Sequence, residues 1–282
     1  MTRLLITIIS YCITLTACND PQTSYEPKEL ASANAKGKLY IIGGGDHTPE
    51  VLERMIAAAG IDSTHYIAVL PMSSSEHDSA FIYFSNDVRE VYPVRCINMS
   101  FSEADLINQP KLDSIINARL IFITGGDQNE FMTVAHDTPL QDALYEAFEN
   151  GALIAGTSSG ASVMSDVMLT GDENFSPEYA ATYDKLWKGN GIYQQGLGLL
   201  KGAIIDQHFV AHSRYNRLLS AICDHPGQAG IGIDEGTALL VEGRRCSVVG
   251  ESQVIVFEPV DSCNVYFNHI GMRDVRMNIY TS

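Results

Sequence analysis

The sequence predicts an α/β fold: a mainly parallel sheet covered on both faces by helices, with an antiparallel C-terminal extension. Three observations predict it. From Gly37 onward, short continuous apolar runs alternate with amphipathic stretches. Such runs are strands buried on both faces, the usual setting of parallel strands joined by crossover helices. The runs end in glycine-rich or polar residues, as strands do where they open into loops. The last third changes pattern, to short strands separated by turns alone.

Taken in order, residues 39–42 form a buried strand ending in Gly43-Gly44-Gly45. Residues 49–59 then read as a helix, because Val51, Leu52, Met55 and Ile56 recur at helical spacing. A second strand over 66–70 stops at Pro71 and the polar run Ser73-Ser74-Ser75. Strands over 94–98, 120–123 and 153–155 continue the series, with helical segments such as 140–150 between them. Residues 229–233, 238–242, 246–249, 254–257 and 265–269 are the short strands of the extension, expected to belong to the same sheet. Ligand sites in sheets of this kind lie beyond the carboxyl ends of the strands, where these glycine-rich endings fall.

Composition bounds the function. A chain of 282 residues with 45% hydrophobic and 18% charged residues has ample material for one large core. Its formal net charge of −16 argues against nucleic acid as a partner, since phosphate neutralisation needs clustered Lys and Arg. No C-x-x-C or similar metal-ligand spacing is present, so no metal is expected.

The N-terminus bears on location. Arg3 precedes an apolar stretch over 4–16, too short to span a bilayer comfortably, and Ala17-Cys18 and a polar run follow. A small residue before a cysteine at such a cut resembles a bacterial lipobox. Residues 1–17 are therefore expected to be a lipoprotein signal peptide, Cys18 the lipidated residue, and 18–36 a flexible tether. One folded domain is expected over 37–282, exported and held to a membrane by the lipid alone, on the periplasmic or cell-surface side. Of the remaining cysteines, Cys246 and Cys263 are candidates for a disulfide between neighbouring strands, with buried free thiols the equal alternative.

Gly156-Thr157-Ser158-Ser159-Gly160 fits G-x-S-x-G between a predicted strand and a predicted helix. A sharp turn of this kind needs small flanking residues and lifts the central hydroxyl, that of Ser158, out of the sheet. A serine hydroxyl is a weak nucleophile and needs a base within hydrogen-bond reach. Of eight histidines, His208 closes the apolar run Ala203-Ile204-Ile205 as Asp206-Gln207-His208-Phe209, which puts it at a strand end. Gly125-Gly126 follows another strand, where the backbone can approach a substrate and turn an N–H toward an oxyanion.

Gly43-Gly44-Gly45, Gly125-Gly126-Asp127-Gln128, the run over 156–161 and Asp206-Gln207-His208-Phe209 occur together in the order seen in cyanophycinases, and the chain resembles that family over roughly 37–257. Gly196-Leu197-Gly198-Leu199 and Gly232-Ile233-Asp234-Glu235 extend the likeness. The resemblance implies a flavodoxin-like three-layer sandwich and a cofactor-free serine exopeptidase. Its substrate would be cyanophycin, a polyaspartate bearing arginine on each side chain, released as β-Asp-Arg dipeptides. It casts Ser158 as nucleophile, His208 as base, and the N–H groups of Gly126 and Ser159 as the oxyanion hole. Gln128, Asp206 and Gln207 take substrate-contacting positions. The acid completing the triad would be Glu173, with Asp172 and Glu178 as alternatives, and a homodimer is in keeping with the family.

Departures from the family bear on the substrate. Three arginines are usual after the Asp-Gln-His-Phe element; here the positions are His212, Arg214 and Arg217. A largely neutral ring replaces one fixed cationic fork. The stretch 177–195, with the only tryptophan, Trp187, is longer than the family norm and reads as a rim or lid. Alternative functions are therefore a peptidase E-like hydrolase of Asp-containing short peptides, or a surface lipoprotein that binds without catalysis.

Overall fold

The computed structural model describes residues 36–282 apart from 177 and 179, together with the two-residue strand Ser24–Tyr25 (β1). The expected signal peptide and Cys18 lie outside the described residues, as does the expected tether apart from β1 and Lys36.

The main sheet starts with Lys38–Ile42 (β2), followed by the helix Pro49–Ala59 (α1). Local chemistry sets the helix ends. The Thr48 hydroxyl accepts from Val51 N, Pro49 occupies the first turn, and Gly60 closes the helix in a left-handed conformation. The chain continues through Tyr66–Leu70 (β3), His77–Val91 (α2), Arg95–Asn98 (β4) and Gln109–Ile116 (α3). Leu120–Ile123 (β5), Gln128–Ala135 (α4), Pro139–Asn150 (α5) and Leu153–Thr157 (β6) complete the parallel part. These strands pair in the order β2-β6-β5-β3-β4, so β6 lies between β2 on one side and β5 on the other.

Side chains of these strands alternate between two cores, as the two-residue period requires. Tyr40, Ile42, Ile67, Val69 and Phe122 join Val51, Leu52 and Met55 of α1 and Phe84 and Val88 of α2. Leu39, Ile41, Ala68, Leu70 and Ile123 join Leu112 and Ile115 of α3, Phe131 of α4 and Leu144 of α5. Helices thus cover both faces, the α/β sandwich that the sequence predicts.

The C-terminal part departs from a simple extension. Thr237–Glu242 (β11) and Arg245–Gly250 (β12) do extend the main sheet antiparallel beside β2, and β1 pairs with β12. Ala203–Asp206 (β9), Ala229–Ile233 (β10), Val254–Phe257 (β13) and Met277–Tyr280 (β16) instead form a second sheet, ordered β16-β13-β10-β9. One of its faces shares the core beneath α4 and α5 through Ile205, Ile231 and Val256. Its other face, with Ile204 and Ile255, packs on Leu218 and Ile222 of the helix Tyr215–Asp224 (α7). An apolar run shows that a strand is buried, not which sheet buries it. The expected strand over 265–269 is a hairpin, Asn264–Tyr266 and His269–Gly271, turned by Phe267 and Asn268 at positive φ. Cys263 is disulfide-bonded to Cys223 of α7, not to Cys246, which is buried and free.

Candidate active site

Five chain segments at strand ends converge on one cleft. Ser158 follows β6 with φ 54° and ψ −117°, a backbone conformation that L-residues rarely hold and that marks strained turns at functional sites. The turn closes only because its flanks carry no side chain. A Cβ on Gly156 would stand 2.1 Å from Gly160 O, and one on Gly160 would stand 2.3 Å from Ile123 O. The short helix Ser159–Ser162 (α6) leads away beneath the serine.

His208 reaches the cleft from the second sheet, also at positive φ. Its N–H donates to Gly43 O at 2.7 Å, which ties the end of β9 to the end of β2. The imidazole lies over Gly44, where a Cβ would come within 2.3 Å of His208 Cε1. The glycine run after the first strand therefore supplies the seat for this ring. The Nε2 of His208 is 2.8 Å from Ser158 Oγ.

On the other ring nitrogen the structure corrects the expectation. Nδ1 of His208 meets Glu235 Oε1 at 2.6 Å. Glu173 lies at the end of the strand Val167–Glu173 (β7), where its Oε2 accepts from Asn190 Nδ2 at 2.7 Å. Neither Glu173 nor its alternatives Asp172 and Glu178 has a hydrogen bond to His208 among the described residues. Glu235 follows β10, the parallel neighbour of β9 in the second sheet, so acid and histidine sit on adjacent strand ends. The preceding Asp234 holds the loop after His208, since its Oδ1 accepts from Val210 N and Ala211 N at 3.0 and 2.9 Å. The signal for Glu235 in the sequence was positional: it follows an apolar run just as Asp206-Gln207-His208 does.

A cavity of about 320 Å³ opens on Ser158 and His208, bordered among others by Gly126, Gln128, Asp172, Gln207, Arg214 and Arg217. Neither Gly126 N–H nor Ser159 N–H donates to a protein acceptor among the described residues. Gln128 is held by its amide, donating to Leu169 O and Thr170 O at 2.9 and 2.5 Å.

Asp206 departs from its expected substrate-contacting place. It is fully buried, does not border the cavity, and accepts from Arg217 Nε at 2.9 Å, with a second bond from Arg217 Nη2. Arg214 Nη1 lies 3.7 Å from the same carboxylate and donates to Gln207 O at 2.7 Å. A buried carboxylate is retained only with such partners, and removing one side of a buried pair costs about 3–5 kcal/mol. Asp206 thus fixes two buried arginines that border the cavity.

His212 stacks on His208, with ring centroids 4.9 Å apart and planes within 9°. Burial, helped by the nearby Arg214 guanidinium and by His208, holds its pKa below the usual histidine value, against the opposing pull of Glu235. The ring is therefore neutral at pH 7. Around it the cleft is mixed in charge, bordered by the buried Arg214 and Arg217 and by the exposed Asp127 and Asp172.

Serine, imidazole and carboxylate in this sequence of contacts can remove and return one proton. Hydroxyl attack on an acyl carbon, with the oxyanion received by backbone N–H groups, is the chemistry such a row supports.

The family model for peptidase family S51 matches residues 39–249. The chain is 29% identical over 261 residues to the cyanophycinase of Nostoc sp., covering 90% of this chain and 85% of that protein. It is 24% identical over 215 residues to the peptidase E of the same species, covering 73% and 81%. A crystal structure of a peptidase from an acI-B1 Actinobacterium superposes with a TM-score of 0.62 at 20% identity, covering 87% of this chain and 95% of that one.

Proposed function

The chain belongs to peptidase family S51 and is a serine-type peptidase, and from that premise we propose that it hydrolyses cyanophycin to β-Asp-Arg dipeptides. Ser158 is the nucleophile, His208 the general base and Glu235 the acid that orients it. As Ser158 Oγ attacks the scissile carbonyl, its proton passes to His208 Nε2 across the 2.8 Å contact. Glu235 holds the Nδ1 proton, fixing the tautomer and stabilising the imidazolium as it forms. The oxyanion is taken by the N–H groups of Gly126 and Ser159. Imidazolium then protonates the departing amine, and water, deprotonated by the same ring, releases the acyl group.

The observation that carries the substrate is the mixed charge of the cavity. Arg214 and Arg217, held by Asp206 and Gln207, complement a carboxylate, while Asp127 and Asp172 on the rim complement a guanidinium. A β-Asp-Arg unit carries both groups. The likeness to the Nostoc cyanophycinase supports the same substrate. In this reading Cys18 is the lipidated first residue of the exported chain and the enzyme meets its polymer outside the cytoplasm.

His212 favours a second reading. Where the cyanophycinase pattern has a third arginine, this neutral ring weakens carboxylate recognition and points to shorter Asp-containing peptides, as the likeness to peptidase E also does. Incubating purified protein with cyanophycin and, separately, with Asp-X dipeptides distinguishes the two. Product mass analysis is expected to find β-Asp-Arg as the main product and little dipeptide cleavage. Dipeptide hydrolysis with intact polymer would transfer the assignment to the second reading.

A further inference from the structure

We propose that His208, His212 and Glu235 form an inhibitory site for Zn2+ at the mouth of the Ser158 cleft. One ligand atom from each of the three residues lies within 4.8 Å of the others. Glu235 Oε1 is shared: it stands 2.6 Å from His208 Nδ1 and 3.9 Å from His212 Nε2. Ligands of a tetrahedral zinc ion, each about 2.0–2.2 Å from the metal, lie about 3.3–3.5 Å from one another. The two observed separations bracket that value. One must open and the other close by less than an ångström.

The parts that must move are able to. The His212 ring is parallel to His208, so it must swing out of the stack to aim Nε2 at the ion. Its side chain is 37% exposed and that of Glu235 is 41% exposed, which leaves room for both adjustments. Two imidazoles, one carboxylate and a water make a zinc donor set, whereas magnesium prefers oxygen ligands. His212 Nδ1 is buried with no hydrogen-bond partner. The ring thus lacks the supporting acceptor that usually fixes a ligating histidine, which should weaken binding roughly 10–100-fold relative to a fully supported site.

Occupancy has a defined chemical consequence. Zinc on His208 Nδ1 takes the place of the proton that Glu235 otherwise holds. The one proton of the neutral imidazole must then reside on Nε2, 2.8 Å from Ser158 Oγ. There it donates to the hydroxyl and cannot accept from it, so the base is lost. Binding itself needs only the three side chains; inhibition rests on the reading of His208 as the base.

Calorimetric titration of the purified protein with zinc chloride, repeated with magnesium chloride, tests the site. One equivalent of zinc is expected to bind in the micromolar range, with no magnesium isotherm at a concentration about tenfold higher. His212→Ala and His212→Gln, each confirmed as folded by circular dichroism, are expected to weaken zinc at least about tenfold. Zinc should lower wild-type kcat, and EDTA should restore it. Absence of a zinc isotherm, equal binding of magnesium, or unchanged zinc affinity in both folded variants would overturn the site. A His212-dependent isotherm that leaves turnover intact would overturn the inhibition and count against His208 as the base.

Discussion

Ser158→Ala is expected to lower kcat by about 10⁴- to 10⁶-fold, the equivalent of roughly 5–8 kcal/mol of transition-state stabilisation. Only the Oγ is removed, and that atom has one hydrogen bond, to His208 Nε2. The strained backbone at φ 54° is unchanged, because alanine and serine share a Cβ and meet the same penalty there. The melting temperature should therefore stay close to that of the parent, and so should peptide binding in the cleft. Turnover and a thermal melt on the same preparation check both halves. Residual activity within about tenfold of the parent would remove Ser158 from the mechanism.

Glu235→Gln is expected to reduce kcat by about 10²- to 10⁴-fold, with the smaller end favoured because the carboxylate is partly exposed and screened. The amide keeps the size of the side chain but cannot stabilise the imidazolium. It also has a donor where His208 Nδ1–H needs an acceptor, so the wrong tautomer becomes available. Glu173→Gln is the informative partner, since that carboxylate bonds Asn190 and not the histidine. Its effect on kcat should stay within about threefold, the scale of a substitution away from the reacting groups. Steady-state kinetics on the two variants decide between the acids. A large loss in Glu173→Gln with little change in Glu235→Gln would reverse the assignment.

The serine turn was legible because it obeys local rules. Small residues at 156 and 160 are required by backbone contacts of about 2 Å, and such requirements leave a pattern in the sequence. The strands β2, β3, β5 and β6 were legible for a similar reason: residues buried on both faces are apolar in unbroken runs. His208 was visible as a polar residue closing such a run. What joins it to Ser158 was not visible, since β9 lies in a different sheet from β6 and the connection runs through Gly43 O. Glu235 was not legible because the resemblance implies an acid shortly after the serine turn, whereas the pairing of β9 with β10 brings the acid from 27 residues beyond His208. Asp206 was misplaced for the converse reason. An acid beside a cavity residue can face inward or outward, and burial with Arg217 decides it only in three dimensions.

The assignment also explains the glycine run at 43–45. Gly44 gives His208 its seat, and Gly236 N–H donates to Gly44 O at 3.0 Å, drawing the loop that carries Glu235 over the same spot. The end of β2 thus serves as the surface on which histidine and acid from the second sheet are aligned with the serine. Substitution at Gly44 would displace the ring and not merely strain the turn.

Labelling with a serine-directed sulfonyl fluoride reads the activated hydroxyl most directly. Intact and peptide mass spectrometry of the treated protein is expected to find a single adduct on Ser158, formed many times more slowly in a folded His208→Ala variant. An unlabelled Ser158 in folded protein, or a labelling rate indifferent to His208, would contradict the account.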